Sequence, residues 1–549
     1  MLCFLPLIIG GAPSERINKV MQRFFGKAAG AAGIIALLTL LSRLAGLIRK
    51  LAQSWAVSDS AVAAAYDTAN TLPNILFEVA AGGMLAGAVI PLISRYIAQG
   101  DYNSLRQSAS ALFTWILLAG TTVSLAVVIG APQLAQLLFG ADTSPHILAL
   151  AAALLRMFAL QIPLYGLSVV CTGVLHAHKK FTLPALAPLL SSLVVIAVFS
   201  FYAYRIGPEV PPEQVPHNAL LLLGWGTTAG VAAFSLPQLI PVQKIVKLRF
   251  TLHFPPGAAR MAFRLGLAGL GALLAQQLAI LTIMYTANTA GGVGAYSAFS
   301  YAYVIFMVPY AVLAVPVATV AFPRISLAVQ KNSRRELLDL VARSTRLVLA
   351  MGMVSAALII ALARPAKIVL EVGRDISGLE QALVALAIGV IGFSLLYHGA
   401  RILYALEEGK KVILINSLAW GGVCLLVVLG KIFGITGRIP TLQAIGVAMS
   451  VGLSGGAFLV IFTLRRLLGE KAVTGLRRIF ASELLFLVPA TILGRQFTHY
   501  LLEMGNNSEI SAFFAAGIVG ILLLAAGVVP YFFLERFAKE NKYRKSGDK

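Results

Sequence analysis

Charged residues stand inside an apolar stretch near the start of the chain: Ser42 is followed by Arg43, Arg49 and Lys50. A charge at the centre of a bilayer costs about 2.5–3.5 kcal/mol even on insertion-based scales, so such residues usually carry a function or a partner. Arg43 and Lys50 share one helix face, whereas Arg49 joins them only if the helix unwinds or its side chain reaches round. This pattern indicates a cationic patch in a water-filled cavity that binds an anionic substrate. The alternative is a helix that ends near Arg49 and whose charges snorkel to the interface.

A polar stripe follows on the second apolar stretch. Asn70, Asn74 and Glu78 recur every four residues and therefore lie on one helix face. We expect this stripe to line the same cavity and to bind substrate, with Arg43 or Arg49 as the partner of Glu78. Hydrogen bonding that packs one helix on another is an equally good explanation of Asn70 and Asn74.

Prolines and glycines predict hinges in the stretches that carry these residues. Pro73 removes a backbone hydrogen bond inside the second stretch and kinks it. Gly82 and Gly83 loosen the same stretch further along. Pro309 has the corresponding mid-helix position in a later stretch. A kinked helix beside a polar stripe is typical of a helix that moves during transport.

Composition places these residues in a membrane protein. The 549 residues are 58% hydrophobic and only 12% charged, with a mean hydropathy of +0.85. Soluble domains have about 25% charged residues, so a soluble enzyme, a disordered chain and a coiled coil are excluded. The apolar runs approach 20 residues, the length of a spanning helix. We predict an all-α integral membrane protein with about fourteen spans at 30–57, 64–97, 108–130, 146–175, 183–204, 217–241, 262–286, 294–326, 341–363, 380–406, 411–430, 440–466, 480–498 and 511–535.

Basic residues predict the orientation. With the N-terminus in the cytoplasm, 33 lysines and arginines fall on the inner side and 7 on the outer side. This bias favours an even number of spans with both termini inside. It also explains most of the net charge of +22 without a nucleic-acid partner. We expect residues 1–27 to form a cytoplasmic extension, with Met21 an equally plausible start, and 536–549 to form a basic cytoplasmic tail.

An internal repeat predicts two lobes. Pro91-Leu92-Ile93-Ser94 and Pro323-Arg324-Ile325-Ser326 each follow a stretch with a mid-helix proline, and the two stretches are six spans apart. A weaker pair, around Leu175 and Leu403, has the same separation. Repeats of this kind are common in secondary transporters, which bind substrate between the repeats. We predict an N-lobe at 28–250, a C-lobe at 251–470 and two further helices in 471–535; chance similarity among Pro- and Ala-rich helices is the alternative.

Cofactor and enzyme signals are weak. Cys3, Cys171 and Cys424 are too few and too scattered for a disulfide framework or a metal cluster. His176 and His178 do not share a helix face. The membrane stretches contain no nucleotide-binding loop, catalytic triad or paired carboxylates. We therefore predict a transporter without metal or cofactor rather than an enzyme.

Several of these motifs together resemble the MurJ/MviN family of lipid II flippases. The motifs are Ser42-Arg43-x-x-Gly46-x-x-Arg49, Ala69-Asn70-Thr71-Leu72-Pro73-Asn74 with Gly82-Gly83, Phe322-Pro323-Arg324-Ile325-Ser326, and Tyr404-Ala405-Leu406-Glu407-Glu408. The resemblance covers about residues 28–535 and is greatest for a Gram-positive, actinobacterium-like branch.

The resemblance implies a V-shaped, two-lobed transporter of the multidrug/oligosaccharidyl-lipid/polysaccharide exporter superfamily. Such a protein moves undecaprenyl-pyrophosphate-linked peptidoglycan precursor to the outer leaflet by alternating access, driven by the membrane potential. By resemblance, Arg43 and Arg49 are cavity arginines that hold the pyrophosphate. The chain departs from the proteobacterial branch, which has charged residues where Ala64, Phe77 and Val304 stand and Glu-Gly-Ala at Gly82-Gly83-Met84.

Other functions remain open at this stage. An exporter of another polyprenyl-linked glycan fits the same residues. A cation-coupled multidrug exporter would need a titrating buried acid, for which Asp67 and Glu78 qualify. A scaffold in a cell-wall synthesis complex would not need Arg43 or Arg49 at all. The expected partners are a lipid-linked glycan, membrane lipids and cell-wall synthesis proteins, in the plasma membrane of a bacterium.

Overall fold

Helices make up every regular element of the part of the chain that the structure describes. The structure is a computed structural model that describes residues 37–39, 41–82, 89–140, 142–207, 210–371 and 376–547; at 264–272, 529–530 and 532–547 it describes the backbone alone. In a bilayer a helix satisfies its own backbone hydrogen bonds, which is why apolar runs of this length become helices. The prediction of an all-α membrane protein is confirmed.

Nine helices before residue 250 form a first bundle. Among them α9 packs on α8 and α7, α4 packs on α7, and α2 packs on α6. The helices are α1 (41–57), α2 (Ala61–Val79), α3 (Ile90–Gln99), α4 (Tyr102–Ile129), α5 (Ala131–Phe139), α6 (Pro145–Phe158), α7 (Gln161–Ala177), α8 (Thr182–Arg205) and α9 (His217–Val246). A short 3-10 helix, Pro212–Gln214, precedes α9.

A second bundle follows, centred on α18, which packs against both α16 and α17. Its helices are α10 (Ala258–Ala290), α11 (Ala295–Pro309), α12 (Val315–Gln330), α13 (Arg334–Ala361), α14 (Ala363–Glu371), α15 (Leu379–Ala387), α16 (Gly389–Ala405), α17 (Gly409–Ile432) and α18 (Arg438–Leu468). A 3-10 helix, Glu470–Val473, leads to a last pair, α19 (Leu476–Met504) and α20 (Glu509–Gly547). This pair packs on itself and on α13.

The number of membrane crossings is only partly established. Within the described residues nine helices are long and apolar enough to span a bilayer, and α15 with α16, bent by 48°, makes a tenth. These ten coincide with ten of the fourteen predicted spans. Helices also occupy described parts of the other four, at α1, at α2 and α3, at α10 and at α19, but none of these meets the same test. The count of fourteen therefore stays a prediction.

The helices of the repeated motifs are interrupted in similar ways. After Pro73, α2 ends in a π-helical turn at 80–82. After Pro309, α11 passes into the π-helix Tyr310–Ala314 before α12 begins. A π-helical turn interrupts the regular hydrogen-bond pattern of an α-helix and bends it. The fourth and tenth spans are each divided into two helices, α6 with α7 and α15 with α16, and only the second pair is bent by more than 40°. The division into two lobes stays a prediction.

Polar contacts join the two bundles at one end, which we call the closed end. The Tyr301 hydroxyl donates to the carbonyl oxygen of Ser58 over 2.6 Å. Arg438 forms an ion pair with Asp59. Each contact joins the turn between α1 and α2 to a helix of the second bundle, so the bundles are held together where that turn lies.

A buried ion pair lies just inside the closed end. The Lys50 ammonium donates to Gln53 Oε1 at 2.9 Å, to Asp67 Oδ1 at 3.1 Å and to Ser300 Oγ at 3.1 Å. These three acceptors use all three N–H groups of the ammonium. Its charge also lies 5.2 Å from the centre of the Tyr301 ring. The side chains of Lys50 and Asp67 are only 14% and 6% exposed. This cluster links α1, α2 and α11 and therefore spans both bundles.

Small residues allow helices of the second bundle to approach closely. A Cβ atom on Gly392 of α16 would lie 2.5–2.6 Å from backbone atoms of Leu453 and Ser454 in α18. Glycine at such crossings is common in membrane proteins, where packing drives helix association. Because the obstructing atoms belong to the backbone, a change of side-chain rotamer cannot relieve the clash.

We expect Gly392→Ala to lower the melting temperature of the purified protein, because an added methyl group must push α16 and α18 apart, at a cost of about 1–3 kcal/mol. Gly421→Ala is the matched control: it lies within α17, and no atom lies within 4 Å of its added Cβ. Alanine there should be neutral or slightly stabilising. Equal melting temperatures for the two variants would contradict this packing.

We expect Asp67→Asn to be strongly destabilising, because it leaves the Lys50 ammonium buried beside a neutral amide; loss of one partner of a buried pair costs about 3–5 kcal/mol. The double variant Lys50→Met/Asp67→Leu should recover most of the loss, since both charges are gone. Melting curves of the single and double variants in detergent test this. A double variant no more stable than Asp67→Asn would show that the pair itself is not the source of the loss.

Candidate functional site

Exposure changes along α1 and α2, and we call the accessible stretches of these two helices the cleft. On α1 the Arg43 side chain is exposed, Arg49 is half-buried, and Gln53 is buried. On α2, which leaves the closed end, Asp67 is buried and Glu78 is exposed. Both helices therefore become more accessible with distance from the closed end. Because the predicted polar residues lie on these two helices, the cleft is the candidate site.

Arg43 and Glu78 are the exposed charges of this cleft on the first bundle. Within the described residues no ion pair shorter than 4.0 Å joins Glu78 to Arg43 or to Arg49. The structure therefore shows no ion pair between Glu78 and either predicted partner, and the Arg43 guanidinium pairs with no described acid.

Arg49 lies deeper on α1 and is half-buried. It makes no hydrogen bond or ion pair with a side chain in the described part of the chain. Lys50, by contrast, is fully engaged by Asp67 and its neighbours. The two adjacent cations thus have different roles in the structure, one bound within the protein and one not.

The amide stripe on α2 has a packing role. Asn74 donates through Nδ2 to the carbonyl oxygen of Asn70 at 2.7 Å and accepts from the Tyr165 hydroxyl of α7 at 3.0 Å. Asn74 thus forms an interhelical hydrogen bond, which is the packing role given above as the alternative to substrate binding. Ser42 likewise joins helices, since its hydroxyl lies 3.1 Å from the Ala185 carbonyl oxygen of α8. Substrate binding by Ser42, Asn70 and Asn74 stays a prediction.

The predicted hinge residues have distinct positions. Pro73 is buried inside the continuous helix α2, and Pro309 immediately precedes the π-helix. Gly82 lies in the π-helical turn against α10, where an added Cβ would clash with Leu273. Gly83 lies outside the described residues. Their movement during transport stays a prediction.

A third arginine, from the second bundle, was missed by the sequence analysis. Arg401 of α16 donates to Thr319 Oγ1 at 2.8 Å and lies 4.4 Å over the Tyr397 ring. Arg401 falls within the predicted span 380–406. That position inside an apolar stretch was the signal available for finding it.

Binding of an anion by these arginines stays a prediction. Arg43 and Arg49 come from the first bundle and Arg401 from the second. No group of three or more His, Cys, Asp or Glu side chains that could hold a metal ion occurs in the described residues. Guanidinium groups recognise phosphate oxygens through paired N–H donors. Phosphate chemistry therefore fits the cleft.

Comparison with known proteins identifies the family. The family model "Lipid II flippase MurJ" matches residues 55–540. A probable lipid II flippase MurJ of Synechocystis is 30% identical over 233 residues, which are 41% of this chain and 43% of that protein. A probable lipid II flippase MurJ of Buchnera aphidicola from Acyrthosiphon pisum is 24% identical over 515 residues, 89% of this chain and 95% of that protein. The chain thus spans less than half of the Synechocystis relative and nearly all of the Buchnera one.

A solved structure shares the fold. The inward closed conformation of a lipid II flippase MurJ superposes with a TM-score of 0.69 at 19% identity, over 92% of this chain and 99% of that one. At this identity the likeness concerns the fold alone. The family assignment comes from the family model, which covers most of the sequence. This multi-pass membrane protein belongs to the MurJ family of lipid II flippases.

Proposed function

We propose that this protein carries lipid II, the undecaprenyl-pyrophosphate-linked peptidoglycan precursor, from the inner to the outer leaflet of a bacterial plasma membrane. The observation that carries the proposal is the match of the lipid II flippase family model to residues 55–540. Arg43 and Arg49, which pair with no acid in the described residues, supply cations for the pyrophosphate in the first bundle. A pyrophosphate that also reached Arg401 would contact both bundles at once. A change in the angle between the bundles then changes the side from which the pyrophosphate is reached, which is the basis of alternating access.

The charge distribution supports one orientation for this transport. With both termini in the cytoplasm, the closed end lies on the outer side and the cleft opens toward the cytoplasm. The strong excess of basic residues on one side supports this placement. In this scheme residues 28–250 form the N-lobe, 251–470 the C-lobe and 471–535 the additional helices, between cytoplasmic segments 1–27 and 536–549.

The arginines of the cleft keep their positive charge because no acidic side chain in the described residues pairs with them. Arg49 and Arg43 are left without ion pairs in the described structure, so the substrate does not have to displace a carboxylate from either guanidinium. Lys50 cannot serve in the same way, because Asp67 and Ser300 already occupy its donors. Asp67 is thereby also occupied, which removes support for a mechanism in which it binds and releases a coupling cation.

Complementation of a conditional lipid II flippase depletion tests the proposal, with surface-exposed lipid II as the readout. We expect the wild type to rescue and Arg43→Ala and Arg49→Ala to lose at least about tenfold in flipping, since each removes a charge-assisted contact worth about 1.5–3 kcal/mol. Arg343→Ala is the matched control, because Arg343 is exposed and pairs only with Asp339 on its own helix.

Three results would contradict parts of this proposal. Full rescue by Arg43→Ala and by Arg49→Ala would keep lipid II as the substrate but show that neither arginine is needed to bind it. Failure of well-inserted wild type to rescue would point to another polyprenyl-linked glycan, which the same cationic cleft would fit. Equal loss in Arg343→Ala would indicate a general defect in insertion or folding rather than a defect in binding.

Labelling of a cysteine in the cleft tests the orientation and the role of the closed end. Asn70→Cys, in a background without the native cysteines, should react poorly with a membrane-impermeant maleimide in right-side-out vesicles. Adding Arg438→Gln should increase that labelling, because it removes the ion pair with Asp59 that joins the bundles. Arg495→Gln is the control, since its pair with Glu380 lies within the second bundle and its associated helices.

If the closed end is not the outer gate, Arg438→Gln will label no faster than the control. If the orientation is reversed, the increase will appear in inside-out vesicles instead.

A further inference from the structure

A glutamate of the last helix pair is buried among apolar side chains. Glu483 of α19 is 0% exposed and falls inside the predicted span 480–498. It belongs to the buried face of α19, one turn from Ile479 on one side and from Leu487 on the other. An ionisable side chain inside a membrane helix is costly and usually has a function.

The carboxyl group of Glu483 lies where three helices meet. A Cβ atom on Gly527 of α20 would lie 3.5 Å from Glu483 Oε2. The same atom would lie 2.2 Å from Val354 of α13 and 3.2 Å from Leu487 of α19. Glycine at position 527 therefore lets α20 approach α13 closely beside the carboxyl group.

Neither carboxyl oxygen of Glu483 has a hydrogen-bond partner in the described residues. No described lysine, arginine or histidine forms an ion pair with it within 4.0 Å. An ionised carboxylate without water, hydrogen bonds or a counter-ion is strongly unfavourable. The carboxyl group is therefore neutral in this arrangement of the helices, with a proton on one of its oxygens.

The other titratable groups of the three helices do not engage Glu483. The guanidinium of Arg346 on α13 donates to the Thr474 carbonyl oxygen at 2.9 Å, at the start of α19. Tyr531 of α20 is buried in the same apolar cluster and makes no hydrogen bond to Glu483. The remaining described titratable side chains of α13, α19 and α20 are Arg334, Arg335, Glu336, Asp339, Arg343, Arg477, Arg478, Arg495, His499, Tyr500, Glu503 and Glu509.

A proton is the ligand that fits this place. A bound Ca²⁺ ion needs about six or more oxygen ligands, whereas Glu483 is walled by hydrocarbon from Val354 and Leu487. A proton needs only one oxygen atom. The neutral acid then packs as an uncharged side chain in the apolar interior.

We propose that Glu483 is a proton-binding site that stays protonated while α19 and α20 pack on α13. Binding forms an O–H bond between one carboxyl oxygen and a proton taken from water, and release returns that proton to water. Because the carboxylate is stable only in contact with water, its formation favours separation of the helix pair from α13. From Leu476, where α19 begins, to Glu483 is about 10 Å, and in the proposed orientation that end faces the cytoplasm. The site is separate from the cleft and independent of the substrate.

Unfolding by SDS between about pH 5 and pH 8 tests this inference, with tryptophan fluorescence as the readout. A glutamate in the unfolded chain is ionised over most of this range, so a proton held by the folded protein makes folding less favourable as the pH rises. Glu483→Gln has nearly the shape of the neutral acid and cannot titrate. We expect the unfolding equilibrium constant of the wild type, divided by that of Glu483→Gln, to rise by about tenfold for each pH unit.

Glu503→Gln is the matched control, because Glu503 is exposed on the same helix, and its ratio should not change with pH. A wild-type to Glu483→Gln ratio that is equally independent of pH would overturn the inference, since Glu483 would then be ionised in the folded protein. If Glu483→Gln does not fold, Glu483→Leu, which also lacks a titratable group, takes its place in the same comparison.

Maleimide labelling tests the separation of the helices. Thr491→Cys, in a background without the native cysteines, places a thiol two turns from Glu483 on the same buried face, at a position that is 8% exposed. Its labelling rate should rise more steeply from about pH 6 to pH 8 with Glu483 present than in the Glu483→Gln background, where the thiol itself titrates alike. Equal pH dependence in the two backgrounds would overturn the link between the proton and the packing of α19 and α20 on α13.

Discussion

The buried ion pair between Lys50 and Asp67 is the interaction on which the arrangement of the bundles depends. Its ammonium is surrounded by three oxygen acceptors, one of them Ser300 from the second bundle. Burying two charges is costly, and the cost is offset only when both charges are paired and their remaining hydrogen bonds are made. Separation of the bundles removes the Ser300 contact. The fully satisfied state is therefore the one in which the closed end is shut.

The same pair determines which cations are available to a ligand. Arg43, Arg49 and Lys50 are close together in sequence, but Lys50 is neutralised by Asp67 within the protein. Arg49 instead pairs with no acid in the described residues. The acid that neutralises Lys50 thus leaves the charge of Arg49 available to a ligand. The acid at Asp67 stabilises the closed end without lowering the positive charge of the cleft.

The sequence was informative where the bilayer imposes a simple constraint. Apolar runs of about 20 residues had to be helices, and ten of the predicted spans coincide with helices that could cross a membrane. The pairing of side chains on helices that are distant in sequence could not be predicted in this way. Lys50 was grouped with Arg43 by helical periodicity, yet its partners come from α2 and α11. Arg401 was not recognised as a site residue, because hydropathy does not distinguish a charge at a helix end from one held inside by Thr319 and Tyr397.

Three positions where the proteobacterial branch has charged residues are apolar here, and the structure shows what two of them do instead. Ala64 is completely buried in the first bundle. Phe77 stacks on Tyr165 of α7 and meets the edge of Phe234 of α9. An arginine at position 77 would add a cation to α2 but would lose both of these aromatic contacts. At this position a cation and the packing of α2 on α7 and α9 are therefore alternatives, and this chain has the packing.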